Sequence, residues 1–237
     1  TAASAVREEI LRKVQDLLCR TLGTPPAMVN FAPAGCLTPR EFARLAAPEL
    51  LEDRYAVILN VPLPEMPFGC LYEVTAAGGP RGGRGPRYLN LPLEEFRLLI
   101  RRQLTAGTPV WFGCDSRWYV DRKQGILSEH LYEYERLGLF GTQDKGRNLK
   151  YRLTRFGHAM VLQGFQEQKG RITGWRIENS YGDKGGPGGL LYASDGWFDR
   201  FVYEAVIDKK YLNESQLAAW DSAPVYLDPW SPVGTLA

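Results

Sequence analysis

Residues 155–165, RFGHAMVLQGF, and residues 174–189, GWRIENSYGDKGGPGG, decide the reading of this chain. Each holds an apolar run of strand length, and each sets one unusual polar residue at its edge. His158 stands directly before Ala159–Met160–Val161–Leu162, and Asn179 directly after Trp175–Arg176–Ile177–Glu178. Downstream, GGLLYAS (188–194) and RFVYEAVIDKK (200–210) add two more strand patterns between Gly-rich or polar turns. Four short strands at that spacing predict an antiparallel sheet or open barrel.

The first half of the chain reads as helix-rich. Residues 4–22 place Val6, Ile10, Leu11, Val14, Leu17, Leu18 and Leu22 at helical spacing, and Gly23, Pro25 and Pro26 end the run. CLTPREFARLAAPELL (36–51) predicts a second helix with Thr38 as N-cap and Pro39 at the first position. RYAVILNVP (54–62) and CLYEVTA (70–76) are strand patterns, and GGPRGGRGPR (78–87) a loop. LNLPLEEFRLLIRRQLTAG (89–107) is a helix with Leu93, Phe96, Leu99, Ile100 and Leu104 on one face and Gly107 at its end. Val110–Trp111–Phe112 then form a central strand that exits at Gly113–Cys114–Asp115, and residues 120–150 are polar and irregular. Helices first and strands later indicate an α+β protein.

Composition narrows the function classes. The 237 residues carry 29 Lys and Arg against 27 Asp and Glu, a net charge of +2, which gives no global attraction to nucleic acid or to a membrane surface. No apolar run approaches the ~20 residues of a membrane helix, and the opening segment lacks a signal peptide's basic start and apolar middle. The chain does not begin with Met, which suggests a trimmed N-terminus. Cys19, Cys36, Cys70 and Cys114 form no C-x-x-C pair, so a zinc or dithiol site is not expected and neither metal nor cofactor is implied. Free thiols fit a reducing compartment, so the protein reads as cytoplasmic. Arg81, Arg84 and Arg87 lie among glycines, but three arginines give only a weak, salt-sensitive phosphate attraction, and the loop reads as a solvated one. His130, flanked by Glu129 and Glu133, reads as a surface residue.

His158 and Asn179 allow a sharper reading. An imidazole at the start of one strand and a neutral amide at the end of its neighbour are the parts used in thiol-dependent acyl transfer. The amide oxygen accepts from one ring N–H and fixes the tautomer, and the other ring nitrogen faces a cysteine. Asparagine orients the ring without adding charge to a thiolate–imidazolium pair. The pair alone favours a structural role for both residues; the surrounding motifs change that reading.

GHAM (157–160) with WRIENSYGDKGGPGG (175–189) resembles the histidine and asparagine motifs of the papain-like cysteine peptidases, with Tyr181 where that family usually has tryptophan. PVWFGCD (109–115), ASDGWFDRFVYEAVIDKKYL (193–212) and the tail DPWSPVGTLA (228–237) resemble the bleomycin hydrolase and aminopeptidase C branch. The resemblance runs from about residue 38 to the C-terminus and is looser over the first helix. It implies a papain-like fold divided into a helical and insertion region (1–150), a β half bearing the catalytic pair (151–212) and a C-terminal arm (213–237). It assigns His158 as general base, Asn179 as its orienter and Tyr181 as an aromatic shield. The nucleophile has no counterpart: Cys19 lies inside an amphipathic helix, Cys36 lacks the accompanying glutamine and tryptophan, and Cys114 matches a non-catalytic cysteine. The chain therefore resembles a C-terminal half lacking the catalytic-helix segment, inactive alone.

The resemblance also implies that the arm lies along the cleft, so that the Ala237 carboxylate holds the substrate's ammonium group and excludes longer chains. The implied activity is removal of N-terminal amino acids from peptides with a free N-terminus by a homohexamer, without cofactor, metal or membrane. Two other readings stand beside it: a catalytically inactive papain-like binding or assembly module, and nucleic-acid binding through the arginine loop.

Overall fold

Thr38 accepts a hydrogen bond from Glu41 N while Glu41 reaches back to the Thr38 N–H, and this reciprocal cap starts a helix at Pro39 as its sequence requires. The computed structural model describes residues 2–48, 53–75, 85–132, 134–138 and 144–234. Contacts divide the chain into two compact units, Thr1–Arg54 and Tyr55–Ala237. In the first, α1 (Ala2–Leu22) ends at Gly23, whose φ of 87° suits a residue without Cβ. Strands β1 (Val29–Phe31) and β2 (Gly35–Leu37) pair antiparallel, and α2 (Pro39–Ala46) sets Phe42 edge-on to Phe31 at 5.2 Å.

The second unit is built on one sheet. In chain order its elements are β3 (Tyr55–Leu59), β4 (Leu71–Val74), β5 (Arg87–Asn90), α3 (Leu93–Thr105), β6 (Val110–Cys114), β7 (Val120–Asp121), β8 (Ile126–Leu127) and α4 (Lys145–Lys150). They continue with β9 (His158–Gln168), β10 (Arg171–Glu178), β11 (Leu190–Ser194), α5 (Asp195–Phe201), β12 (Val202–Asp208), α6 (Glu214–Trp220) and β13 (Val225–Leu227). Eleven strands lie in the order β13-β4-β5-β3-β12-β6-β9-β10-β11-β8-β7. Most pairs are antiparallel; β3/β5, β8/β11 and β4/β13 are parallel. The sheet is not closed, and its strands come from both sides of residue 150.

In this unit the core forms on the face that the periodicity of α3 marks. Phe96, Leu99 and Ile100 of α3 pack into one cluster with Ile58, Leu89, Phe112, Met160, Leu162, Ile177 and Ala205 of the sheet. Each large apolar side chain among them contributes roughly 1.5–3 kcal/mol by leaving water. Trp175 stacks on Phe198 with centroids 4.2 Å apart.

Three helices stand where the sequence reading has turns, irregular chain or a C-terminal arm without assigned helix. Helix α4 is capped by Asp144, which accepts from Arg147 N; α5 by Ser194, which accepts from Trp197 N; and α6 by Asn213 and Gln216 acting reciprocally. Each has six or seven residues, too few to display a helical period, so its cap is its only local signal. The segment 213–237 thus begins as a helix, and β13 then pairs with β4.

Candidate active site

Antiparallel pairing of β9 with β10 sets Val161 opposite Glu178. The residue that opens β9 and the residue just past β10 therefore meet at one end of the sheet. His158 Nε2 lies 3.0 Å from Asn179 Oδ1. The same oxygen accepts from Ser180 N at 2.8 Å, which identifies it as the acceptor end of the amide and makes His158 Nε2 the donor. The ring's Nδ1 is then the basic nitrogen, free of Asn179. Tyr181 lies over the imidazole with centroids 5.3 Å apart and planes inclined by 24°, and is itself half exposed. The three side chains predicted to act together are adjacent.

The turn after β10 holds Asn179 from beneath. Asn179 is buried, and its N–H donates to Gly189 O at 3.1 Å. A Cβ on Gly185 would come within 3.1 Å of Asn179 Cβ and 3.3 Å of Tyr181 Cβ, so glycine lets the chain fold against both. The glycine-rich run that reads only as motif lettering is therefore the floor of the pair.

Asp115 is a buried carboxylate at the exit of β6 whose bonds the sequence reading missed. Burial acts to raise its pKa, but hydrogen bonds from Arg117 and from the Arg155 N–H outweigh it, and the carboxyl is held below its ordinary value. Arg117 clasps both oxygens at 2.9 and 2.7 Å, and Thr154 Oγ1 donates to Oδ2 at 3.1 Å. Asp115 ties the end of β6 to residues 154–155, three positions before His158. The sequence offered one hint, an acidic residue at the exit of an apolar strand.

Cys114 pairs with His158 in the β6/β9 register, but its thiol is buried. Burial, with Asp115 and Glu204 nearby, pushes its pKa up, so it stays protonated and apolar in character. Among the described residues no cysteine sulfur hydrogen-bonds to His158, and no three His, Cys, Asp or Glu gather as a metal site. No described helix is long and apolar enough to cross a membrane. His130 is exposed and lies 3.5 Å from Glu129. Arg81, Arg84, Glu133 and Ala237 lie outside the described residues. Arg87 does not point to a free basic patch: its guanidinium donates to Trp220 O at 2.8 Å and lies 5.3 Å from the Trp220 ring centre.

Comparison with known proteins meets this geometry. The profile of the Peptidase C1-like family matches residues 1–234. Aminopeptidase C of Streptococcus thermophilus is 37% identical over 247 residues, covering 100% of this chain and 55% of the relative. Human bleomycin hydrolase is 34% identical over 253 residues, covering 99% of this chain and 55% of its own. A crystal structure of PepW from Lactobacillus rhamnosis superposes with a TM-score of 0.87 at 36% identity, over 97% of this chain and 54% of that one. The chain thus spans about half the length of the relatives it matches.

Proposed function

The chain belongs to the Peptidase C1-like family, and from that premise we propose that it carries the base-bearing half of a cysteine aminopeptidase active site. The observation that carries the reading is the hydrogen bond of His158 Nε2 to an Asn179 oxygen already fixed by Ser180 N. With Nε2 occupied, Nδ1 is the nitrogen that takes a proton from a cysteine thiol. The thiolate attacks the carbonyl carbon of the first peptide bond, and a tetrahedral adduct forms. His158 then returns the proton to the departing amine, leaving an acyl-enzyme. Water attacks this thioester with Nδ1 again as base, which releases the amino acid and restores the thiol. Asn179 keeps the ring in plane through both transfers, and Tyr181 shields the His158–Asn179 hydrogen bond from water.

None of Cys19, Cys36, Cys70 and Cys114 has the sequence setting of the nucleophile, so the thiol in this reading comes from polypeptide beyond these residues. The substrate is a peptide with a free N-terminus. Its ammonium group is held by the Ala237 carboxylate at the end of residues 213–237. That direction of the arm is supported by Arg152, which donates to Trp230 O at 2.6 Å, and by Val233, buried in a cluster against which the partly buried Phe156, two residues before His158, packs. In the same reading residues 1–150 are the helical and insertion region, 151–212 bear the pair, and the assembled enzyme is a cytoplasmic homohexamer.

The test uses the native gene product on aminoacyl-coumarin amides and their N-acetylated counterparts. Turnover of the free-amine substrate alone, its loss on thiol alkylation, and a fall of at least about 10²-fold in His158→Ala are expected. Full turnover by His158→Ala would remove the role assigned to that residue. Equal turnover of acetylated substrates would remove the aminopeptidase reading.

A further inference from the structure

Residues 154–157, just before β9 opens at His158, form neither helix nor strand, so isolated contacts set where the base-bearing strand begins. Two of these contacts come from the end of β6: Asp115 Oδ2 accepts from Arg155 N, and Cys114 O from Gly157 N, each at 3.2 Å. Others come from Tyr203 of β12. Val202 pairs with Cys114 and Glu204 with Gly113, which leaves Tyr203 as an extra residue opposite two adjacent positions of β6. A bulge of this kind re-aims a side chain. On its other side the bulged backbone is held by Asn60 N, which donates to Tyr203 O at 2.8 Å. The Tyr203 side chain is fully buried. Its ring stacks on Phe156, with centroids 4.9 Å apart and planes inclined by 16°, and its Oη lies 2.7 Å from Thr154 Oγ1.

The protons settle the direction of that last bond. The Asp115 carboxylate only accepts, so the single hydroxyl proton of Thr154 goes to Oδ2 at 3.1 Å. Thr154 Oγ1 then accepts from Tyr203, whose phenol is kept protonated by burial. Arg200 O, at 3.1 Å, is the longer of the phenol's two contacts. Donation therefore runs from Tyr203 to Thr154 to Asp115. All three are buried, where hydrogen bonds aligned head to tail strengthen one another.

We propose that Tyr203 is a positioning residue for the general base: through Thr154 and Phe156 it fixes the chain that enters β9, and so holds the His158 ring in place. That ring has to present Nε2 to Asn179 and Nδ1 to the thiol at once, and a misplacement of about 1 Å can cost about 10²-fold in rate. The inference rests on the peptidase reading and adds to it a residue 45 positions downstream of His158, brought there by the order of the strands. The part played by the hydroxyl is separable from that of the ring. Tyr203→Phe keeps the ring, which shares a cluster with Val233 of the arm, and removes only the donor to Thr154.

Steady-state kinetics on free-amine aminoacyl-coumarin amides test it, with the native gene product, Tyr203→Phe, Thr154→Val and the double variant. Each single variant should lower kcat at least about tenfold and leave KM within about twofold, because both act on the base and neither on the substrate's contacts. The double variant should be little worse than Thr154→Val, since the two hydroxyls form one chain. Amide exchange read by mass spectrometry on the same samples should quicken over residues 154–158. Native kcat in Tyr203→Phe overturns the proposal. So does a fall in kcat with exchange over 154–158 unchanged, and so do two effects that multiply independently in the double variant. A gene product that turns over no free-amine substrate even unaltered removes instead the peptidase reading on which the proposal stands.

Discussion

Asn179 shows how one residue acquires a role from its neighbours. An amide at the end of an apolar run is ordinary; here its oxygen accepts from Ser180 N and so can only accept from His158 as well. Asn179→Ala in the native gene product should lower kcat, with KM little changed, because it removes the ring's orientation and none of the substrate contacts; steady-state kinetics check the split. Cys114→Ala should leave thiol-dependent turnover in place, since that thiol is buried and held protonated. Asp115 has a pKa below its unfolded value, so the stability it contributes is present above about pH 4 and lost as the pH falls through its folded value. Asp115→Asn should flatten acid unfolding below about pH 4 and loosen residues 154–155, read as faster amide exchange there. The resemblance that picked out His158, Asn179 and Tyr181 rests on contiguous letters. Asp115 escaped it because its partners, Arg117, Thr154 and Arg155, are assembled by folding.

Among the elements, legibility followed length and period. Helices α1 and α3, with 21 and 13 residues, repeat their apolar positions often enough to be read directly. Helix α5 could not be read this way, yet it carries Trp197 and Phe198 into the core and is pinned by Arg97, which binds Asp195 at 2.7 Å and Asp199 at 2.5 Å. Ser194→Ala should cost about 1 kcal/mol in chemical denaturation, the worth of one N-cap, and Glu129, which also accepts from the Ser194 hydroxyl, would lose that donor. Gly185→Val should act differently. Its side chain would press on Asn179 and Tyr181, so activity should fall well before the melting temperature does.

Across the whole molecule, two buried ionisable groups shape stability against pH. Glu204 is raised by burial from 4.5 to about 7, so the stability it contributes at low pH is lost as the pH rises from 4.5 through 7. Lys145 is lowered, chiefly by burial and against the pull of Asp199, from 10.5 to about 7; its ammonium donates to Asn60 Oδ1 at 2.7 Å. Between pH 7 and 10.5 the unfolded chain therefore binds the extra proton, and stability rises with pH. Together these two groups place a minimum of their joint contribution near pH 7. Glu204→Gln should remove the slope on the acid side and Lys145→Met the slope on the alkaline side in melting curves taken across that range. The sequence by itself determined the long helices, the strands of the final third, the thiol-peptidase lettering of His158 and Asn179, and the apolar stripe of α1, because each is written in neighbouring residues or in a short period. The tertiary structure alone decided the eleven-strand order, the short capped helices, the Asp115 node, and the burial that keeps Cys114 protonated and brings Lys145 down to titrate near neutrality. Those depend on residues far apart in the chain, and desolvation exists only once they have closed around a group.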